Sequence, residues 1–181
     1  MQNDLAARLS CAIRDIPDFP QPGILFRDVT TLLLKPALVA EAINALWEPF
    51  ADEGVTHVVA VEARGFIVGT GISMRRGLPL VLLRKAGKLP GARIAETYNL
   101  EYGSATMEIH SDVFRKGDRA LIVDDVLATG GTAAAAGRLV ERCGAGIAGY
   151  GFLAELVPLE GRKKLGSAKV ITLLSYGPQP K

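Results

Sequence analysis

Apolar positions follow a helical spacing at the start of the chain and gather into short continuous runs from residue 57 onward. Leu5, Leu9, Ala12, Ile13 and Ile16 share one face of a predicted helix over residues 4–16, with Asn3 or Asp4 as its cap. Pro17, Pro20, Pro22 and Gly23 then break regular structure and deliver Ile24-Leu25-Phe26-Arg27-Asp28 in a loop. A second helix is expected from Pro36, a residue suited to a first turn, towards Phe50. Its inner face would carry Val39, Ala42, Ile43, Leu46 and Phe50.

Beyond that point apolar runs alternate with helical segments. His57 to Val61 reads as a buried strand, Gly65 to Arg76 as a helix and Leu78 to Leu83 as the next strand. Arg119 to Asp124, Ile147 to Leu156 and Lys169 to Leu174 read as further strands, with an alanine-rich helix over Thr132 to Cys143. Strands apolar on both faces, alternating with helices, predict an α/β fold with a mostly parallel central sheet flanked by helices. Residues 84–118 depart from this rhythm. Gly87, Pro90, Gly91, Gly103 and Gly117 interrupt two alternating runs, predicting a long loop and then an antiparallel hairpin. An insertion of that length in a compact domain usually serves as a lid or a binding loop.

Bulk composition narrows the class without naming the chemistry. A chain of 181 residues, 49% hydrophobic and 22% charged, fits a single domain over 1–181. The net charge of +2 comes with basic residues scattered along the chain, which argues against a nucleic-acid partner. Cys11 and Cys143 are expected to be free, mostly buried thiols. His57 and His110, the only histidines, have no ligand-like spacing that would make a zinc site. No apolar run reaches signal-peptide or membrane-span length, so a cytoplasmic location without membrane association is expected.

The densest chemistry lies in Ile122-Val123-Asp124-Asp125-Val126-Leu127-Ala128-Thr129-Gly130-Gly131-Thr132. An apolar strand ends in two acids, and a turn of small residues opens a helix. Ligands of open α/β sheets collect at the carboxyl ends of strands, where free N–H groups and the positive helix end favour an anion. Gly130 and Gly131 allow the backbone to meet a phosphate closely, and Gly131 is expected to need a φ closed to β-branched residues. Thr129 and Thr132 add hydroxyl donors. Asp124 and Asp125 suit a ligand bearing hydroxyls, or a hard cation such as Mg²⁺. Other phosphate motifs fail: Gly87-Lys88 is followed by Leu89 rather than Ser or Thr, and Gly65, Gly69 and Gly71 do not space as G-x-G-x-x-G.

Two acids and then Ala-Thr-Gly-Gly-Thr after an apolar strand resemble the 5-phosphoribosyl 1-pyrophosphate (PRPP) motif of the type I phosphoribosyltransferases. Three further stretches resemble the adenine-specific members: Phe19-Pro20 through Phe26-Arg27-Asp28, Glu62-Ala63-Arg64-Gly65-Phe66, and Arg84-Lys85 through Lys88-Leu89-Pro90-Gly91 with Tyr98 to Gly103. The resemblance covers residues 14–175 and implies the type I phosphoribosyltransferase-like fold, with residues 1–35 as N-terminal helix and adenine loop and 84–118 as a flexible hood. It also implies transfer of the phosphoribosyl group from PRPP to adenine, giving AMP and pyrophosphate, in a homodimer that uses Mg²⁺.

The same resemblance implies roles. Ala128, Thr129, Gly130, Gly131 and Thr132 would hold the 5-phosphate. Asp124 and Asp125 would accept from the ribose hydroxyls, directly or through a Mg²⁺-bound water, with the metal carried by PRPP and no direct protein ligand. Arg64 would grip pyrophosphate, and Arg84, Lys85 and Lys88 would clamp it, Arg84 within its own subunit or across a dimer. Phe26 would stack on adenine, with the backbones of Leu25 and Arg27 reading its edge beside Tyr102. Glu62 would position the loop, and Glu101 would be the general acid at the base N7. Two rivals share part of this pattern. A phosphoribosyltransferase for another purine base should lack the Phe26 and Glu101 stretches, and a PRPP-sensing DNA regulator would need a basic reading domain that the first 50 residues do not offer.

Overall fold

The computed structural model describes residues 2–99 and 103–178. Helix α1 (Gln2–Ala12) leads into a small ribbon of β1 (Arg14–Ile16) and β2 (Phe26–Asp28), followed by α2 (Pro36–Trp47). The main body then runs β3 (His57–Val61), α3 (Gly65–Arg76), β4 (Leu80–Lys85), β5 (Arg93–Asn99), β6 (Ser104–His110), β7 (Arg119–Leu127), α4 (Gly131–Arg142), β8 (Gly146–Leu156) and β9 (Val170–Tyr176). These seven strands form one sheet in the order β5-β6-β4-β3-β7-β8-β9. The five from β4 through β9 pair parallel, while β6 pairs antiparallel with both β4 and β5.

Alternation along the central strands feeds two separate cores. Val58, Ala60, Leu121 and Val123 face α1, α2 and α3, packing with Leu9, Ala42, Ile43, Leu46, Val68 and Ile72. Val59, Val61, Ala120 and Ile122 face the other way, onto Ala135, Ala136, Leu139 and Val140 of α4. Burial on both sides explains why these strands read as continuous apolar runs. Small residues set how closely α4 lies on the sheet: a Cβ at Gly137 would fall 2.2 Å from the Tyr150 hydroxyl. Burial also pushes the Tyr150 phenol up to about 12.

Several boundaries move from expectation. The first helix stops at Ala12 rather than Ile16, because Arg14–Ile16 pairs across the proline loop with Phe26–Asp28. The second helix ends at Trp47, and Phe50 reaches the core from a following 3₁₀ turn that contains Pro49. Strand β7 continues through both acids to Leu127, since β8 goes on pairing with it that far. Cys11 and Cys143 are both free, but Cys11 is exposed on the outer side of α1 rather than buried. In the 84–118 segment the loop is short, and most of the length is the hairpin, which extends the main sheet through β4. Among the described residues no helix is long and apolar enough to cross a membrane.

Candidate active site

The carboxyl ends of β3 and β7 open into a cleft of 640 Å³. Ile24, Leu25, Phe26 and Arg27 line one wall, Glu62, Ala63, Arg64 and Lys85 another. Tyr98 and Ala105 come from the hairpin, and Asp124, Asp125, Val126, Ala128 and Thr132 from β7 and the turn after it. A smaller pocket of 70 Å³ adjoins it, sharing Asp124, Ala128 and Thr132 and lined also by Thr129, Gly130 and Gly131. Topology makes this place: β3 and β7 are parallel neighbours, so the turns after them lie side by side.

At the turn after β7, Gly130 takes a left-handed φ of +74° and serves as N-cap of α4. No side chain caps the helix, so its first N–H groups face the small pocket. The left-handed backbone therefore falls on Gly130, while Gly131 already belongs to the first turn of α4 and has no positive φ. This corrects the expectation of a special φ at Gly131.

Charges in the cleft are paired around one carboxylate. Arg64 Nε donates to Asp125 Oδ2, and the Asp125 side chain is nearly buried while Arg64 is half exposed. Burial works against the Arg64 charge, but Asp125, Asp124 and Asp28 outweigh it and strengthen its hold on its proton. Among the described residues Asp124 makes no ion pair, and Arg64 favours its charge only weakly. Desolvation first, and repulsion from Asp125 second, lift its carboxyl well above the ordinary aspartate range, although the Asp125 N–H donates to it at 2.8 Å. Gly65 must be glycine here, because a Cβ would lie 2.8 Å from Asp124 Oδ1.

Glu62 ties the two neighbouring strand ends. Its Oε2 accepts from the Lys85 backbone N–H at 2.8 Å and from Arg84 Nε at 3.0 Å, which together hold its carboxyl below the ordinary glutamate value. Arg84 is thus engaged by Glu62 and lies 5.9 Å over the Phe66 ring, outside the residues that line the cleft. Lys88 is exposed, with its backbone N–H on the Lys85 carbonyl, and Lys85 is the lysine that lines the cleft.

On the other wall Phe26 stands edge-on to Phe19, with ring centroids 5.1 Å apart. The Arg27 side chain pairs with Asp15 and lies 4.3 Å over the Tyr176 ring. Tyr98 reaches across so that its hydroxyl accepts from Thr132 Oγ1 at 3.4 Å. Of the residues singled out from sequence, Leu25, Phe26, Arg27, Arg64, Asp124, Asp125, Ala128 and Thr132 share the main cleft, with Thr129, Gly130 and Gly131 in the adjoining pocket. Glu101 and Tyr102 lie outside the described residues. Sequence reasoning gave no role to Tyr98, Ala105 or Leu156, which line the cleft because β5, β6 and β8 end beside it. Only the alternation of β5 around Tyr98 could have signalled that ring.

Comparison with known proteins now bears on these residues. The family model described as phosphoribosyl transferase domain matches residues 28–165. Adenine phosphoribosyltransferase of Carboxydothermus hydrogenoformans is 52% identical over 164 residues, 91% of this chain and 96% of that protein. The crystal structure of adenine phosphoribosyltransferase from Rhodothermus marinus superposes with a TM-score of 0.90 at 48% identity, covering 96% of this chain and 99% of that one. The Saccharomyces cerevisiae enzyme, in complex with an imino-altritol bisphosphate and adenine, gives 0.89 at 42% identity, covering 95% and 99%.

Proposed function

The chain belongs to the phosphoribosyl transferase domain family, and we infer that its cleft performs the adenine-specific reaction of that family. It joins adenine to PRPP, releasing pyrophosphate and AMP, a pentosyl transfer of purine salvage. The observation that carries this reading is the meeting of a base wall, Leu25 to Arg27, with a phosphate turn, Ala128 to Thr132, across one cleft.

Each wall has a separate task. N–H groups at the start of α4 suit the 5-phosphate, and Asp124 and Asp125 suit the ribose hydroxyls. Phe26 offers a ring face to adenine, with the backbone of Leu25 and Arg27 at its edge. Displacing pyrophosphate at the sugar C1 builds positive charge on the ribose and negative charge on the leaving group. Arg64, with its donors beside the cleft, neutralises the leaving charge, and Lys88 and Arg84 join it when the 84–118 segment closes. As N9 bonds to C1 and the C1–O bond to pyrophosphate breaks, the N9 proton of adenine passes to the departing pyrophosphate or to solvent. Glu101, the general acid at N7, shares its proton with that nitrogen through a hydrogen bond and keeps it once AMP has formed. Closure excludes the water that would otherwise hydrolyse PRPP.

Magnesium suits this site as a companion of the substrate. Asp124 lines the cleft beside Asp125, and Arg64 pairs with Asp125. Asp124 and Asp125 would hold it through water, and when bound it neutralises pyrophosphate oxygens.

We propose one domain over residues 1–181, working as a homodimer in the cytoplasm. Leu33 and Ile67, both exposed, line one small cleft beside Arg64 and Asp125, an apolar edge suited to a second copy. Sedimentation velocity reads that state directly. The activity test offers PRPP and Mg²⁺ with adenine, hypoxanthine or guanine in separate reactions. AMP should form efficiently, and chelation should stop it. Preferential conversion of hypoxanthine or guanine would overturn the base assignment.

A further inference from the structure

The phosphate turn rests on a second loop for which the reaction has no other use. After β8 the chain makes a 3₁₀ turn over Gly161–Leu165, and Gly161 is buried against residues 128–130. A Cβ on Gly161 would lie 2.2 Å from the Ala128 carbonyl oxygen and 3.0 Å from the Gly130 nitrogen. A Cβ on Gly130 would lie 2.2 Å from the Gly161 carbonyl oxygen. Two backbones therefore touch, with no room for a side chain on either.

The residue next to Gly161 is fixed on three sides. Arg162 Nε donates to Glu155 Oε2 at 2.7 Å, Nη1 to the Val170 carbonyl at 2.9 Å and Nη2 to Thr172 Oγ1 at 3.0 Å. The Glu155 side chain is only 7% exposed, so loss of Arg162 would leave a buried acid without its ion-pair partner. Arg162 thus spans the ends of β8 and β9, and its fork uses every face of the guanidinium for position. A lysine could pair with Glu155 but could not make all three bonds.

We propose that Gly161, held by the Glu155–Arg162 pair, is a positioning residue for the 5-phosphate site. It fixes the Ala128 carbonyl and the left-handed Gly130, and so the direction in which the first N–H groups of α4 point. Neither Gly161 nor Arg162 lines the cleft or the pocket beside it. This proposal rests on the reading that residues 128–132 hold the 5-phosphate.

The test measures AMP affinity, KM for PRPP, KM for adenine and melting temperature in the parent, Gly161→Ala, Arg162→Met and Arg162→Lys. A misplacement near 1 Å can cost about 100-fold, so Gly161→Ala should weaken AMP and raise the PRPP KM by at least about tenfold. Adenine KM should stay within about twofold, because the base wall is built elsewhere. Arg162→Met should move the same two constants by a smaller factor, and Arg162→Lys should recover part of the loss. A folded Gly161→Ala variant with parental AMP affinity overturns the proposal. So does Arg162→Met if it lowers the melting temperature and leaves the PRPP KM unchanged, which decides the matter should Gly161→Ala not fold. A parent that binds neither AMP nor PRPP would instead overturn the phosphate reading itself.

Discussion

At its proposed phosphate end the cleft is one run of chain, Asp124 to Thr132, in which strand, turn and helix start follow each other directly. At its proposed base end Phe26 and Arg27 are held by residues from other stretches of the chain. Ile16 pairs with Phe26 across the ribbon, Phe19 closes edge-on to the Phe26 ring, and Tyr176 lies under the Arg27 guanidinium. The two ends therefore differ in what can damage them. The proposed anion site fails when its own backbone, or the Gly161 backbone packed against it, is disturbed, whereas the composite wall also fails when a side chain from another stretch lets it shift.

The largest expected effect belongs to the proton donor that would join the two ends. Glu101→Leu should lower kcat by about 10²- to 10⁴-fold, roughly 3–5 kcal/mol of barrier, with PRPP affinity nearly parental. Glu101→Gln should be partly active, because its amide N–H can donate to N7 without giving up a proton. Single-turnover rates would settle this, and a fall of less than about threefold for the leucine variant would remove Glu101 from base activation.

Next comes the phosphate end itself. Gly131→Val places a branched side chain at the first turn of α4, where no positive φ adds backbone strain. AMP affinity should fall about 100-fold, or roughly 3 kcal/mol, while the melting temperature changes by only a few degrees. Calorimetric AMP binding equal to the parent's would refute the assignment of this turn.

A smaller effect should mark the base end. Tyr176→Leu removes the ring under Arg27, a contact worth about 1 kcal/mol, so adenine KM should rise about fivefold with PRPP KM unchanged. Tyr176→Phe keeps the ring face and should behave as the parent. Equal rises in both KM values would mean that the two ends are not independent, and the comparison would break.

The smallest effect concerns the clasp between hairpin and α4. Glu96 accepts from Arg138 Nε at 2.5 Å and Arg142 Nη1 at 2.8 Å, and Arg138 first, then Arg142, holds its carboxyl below the ordinary 4.5. A lowered folded pKa adds stability above the unfolded value and loses it as pH falls through the folded one. Half-exposed arginines keep the gain small. Glu96→Gln should cost about 0.5–1 kcal/mol at pH 7, and the gap from the parent should close as pH falls through the lowered folded value. Melting curves across that range check it, and a gap that persists in acid would point to packing rather than charge.

Much of this was legible without coordinates, and the reason differs between regions. Val58 to Val61 and Leu121 to Val123 read as buried strands because both of their faces meet helices. The strand, turn and helix start proposed to hold the phosphate were legible because their determinants are neighbours in sequence: two acids, two glycines and a helix start. Arg14 to Ile16 continued the apolar spacing of α1 and so misread as helix, because propensity cannot see a ribbon partner ten residues away. Cys11 misled for a simpler reason, since composition reports how often a thiol is buried and not which side of a helix it occupies.

The sequence by itself determined the alternation of strand and helix, the parallel sheet and the turn and helix start that follow β7, because hydrophobic period, glycine and helix ends act over a few residues. Only the tertiary structure decided that Arg64 pairs with Asp125 rather than Asp124, that Glu62 takes Arg84, and that Gly161 backs onto Gly130. These pairings join residues 22 to 61 positions apart, or two backbones in direct contact. Their partners are chosen by how the sheet twists and packs, and no local pattern of side chains encodes that choice.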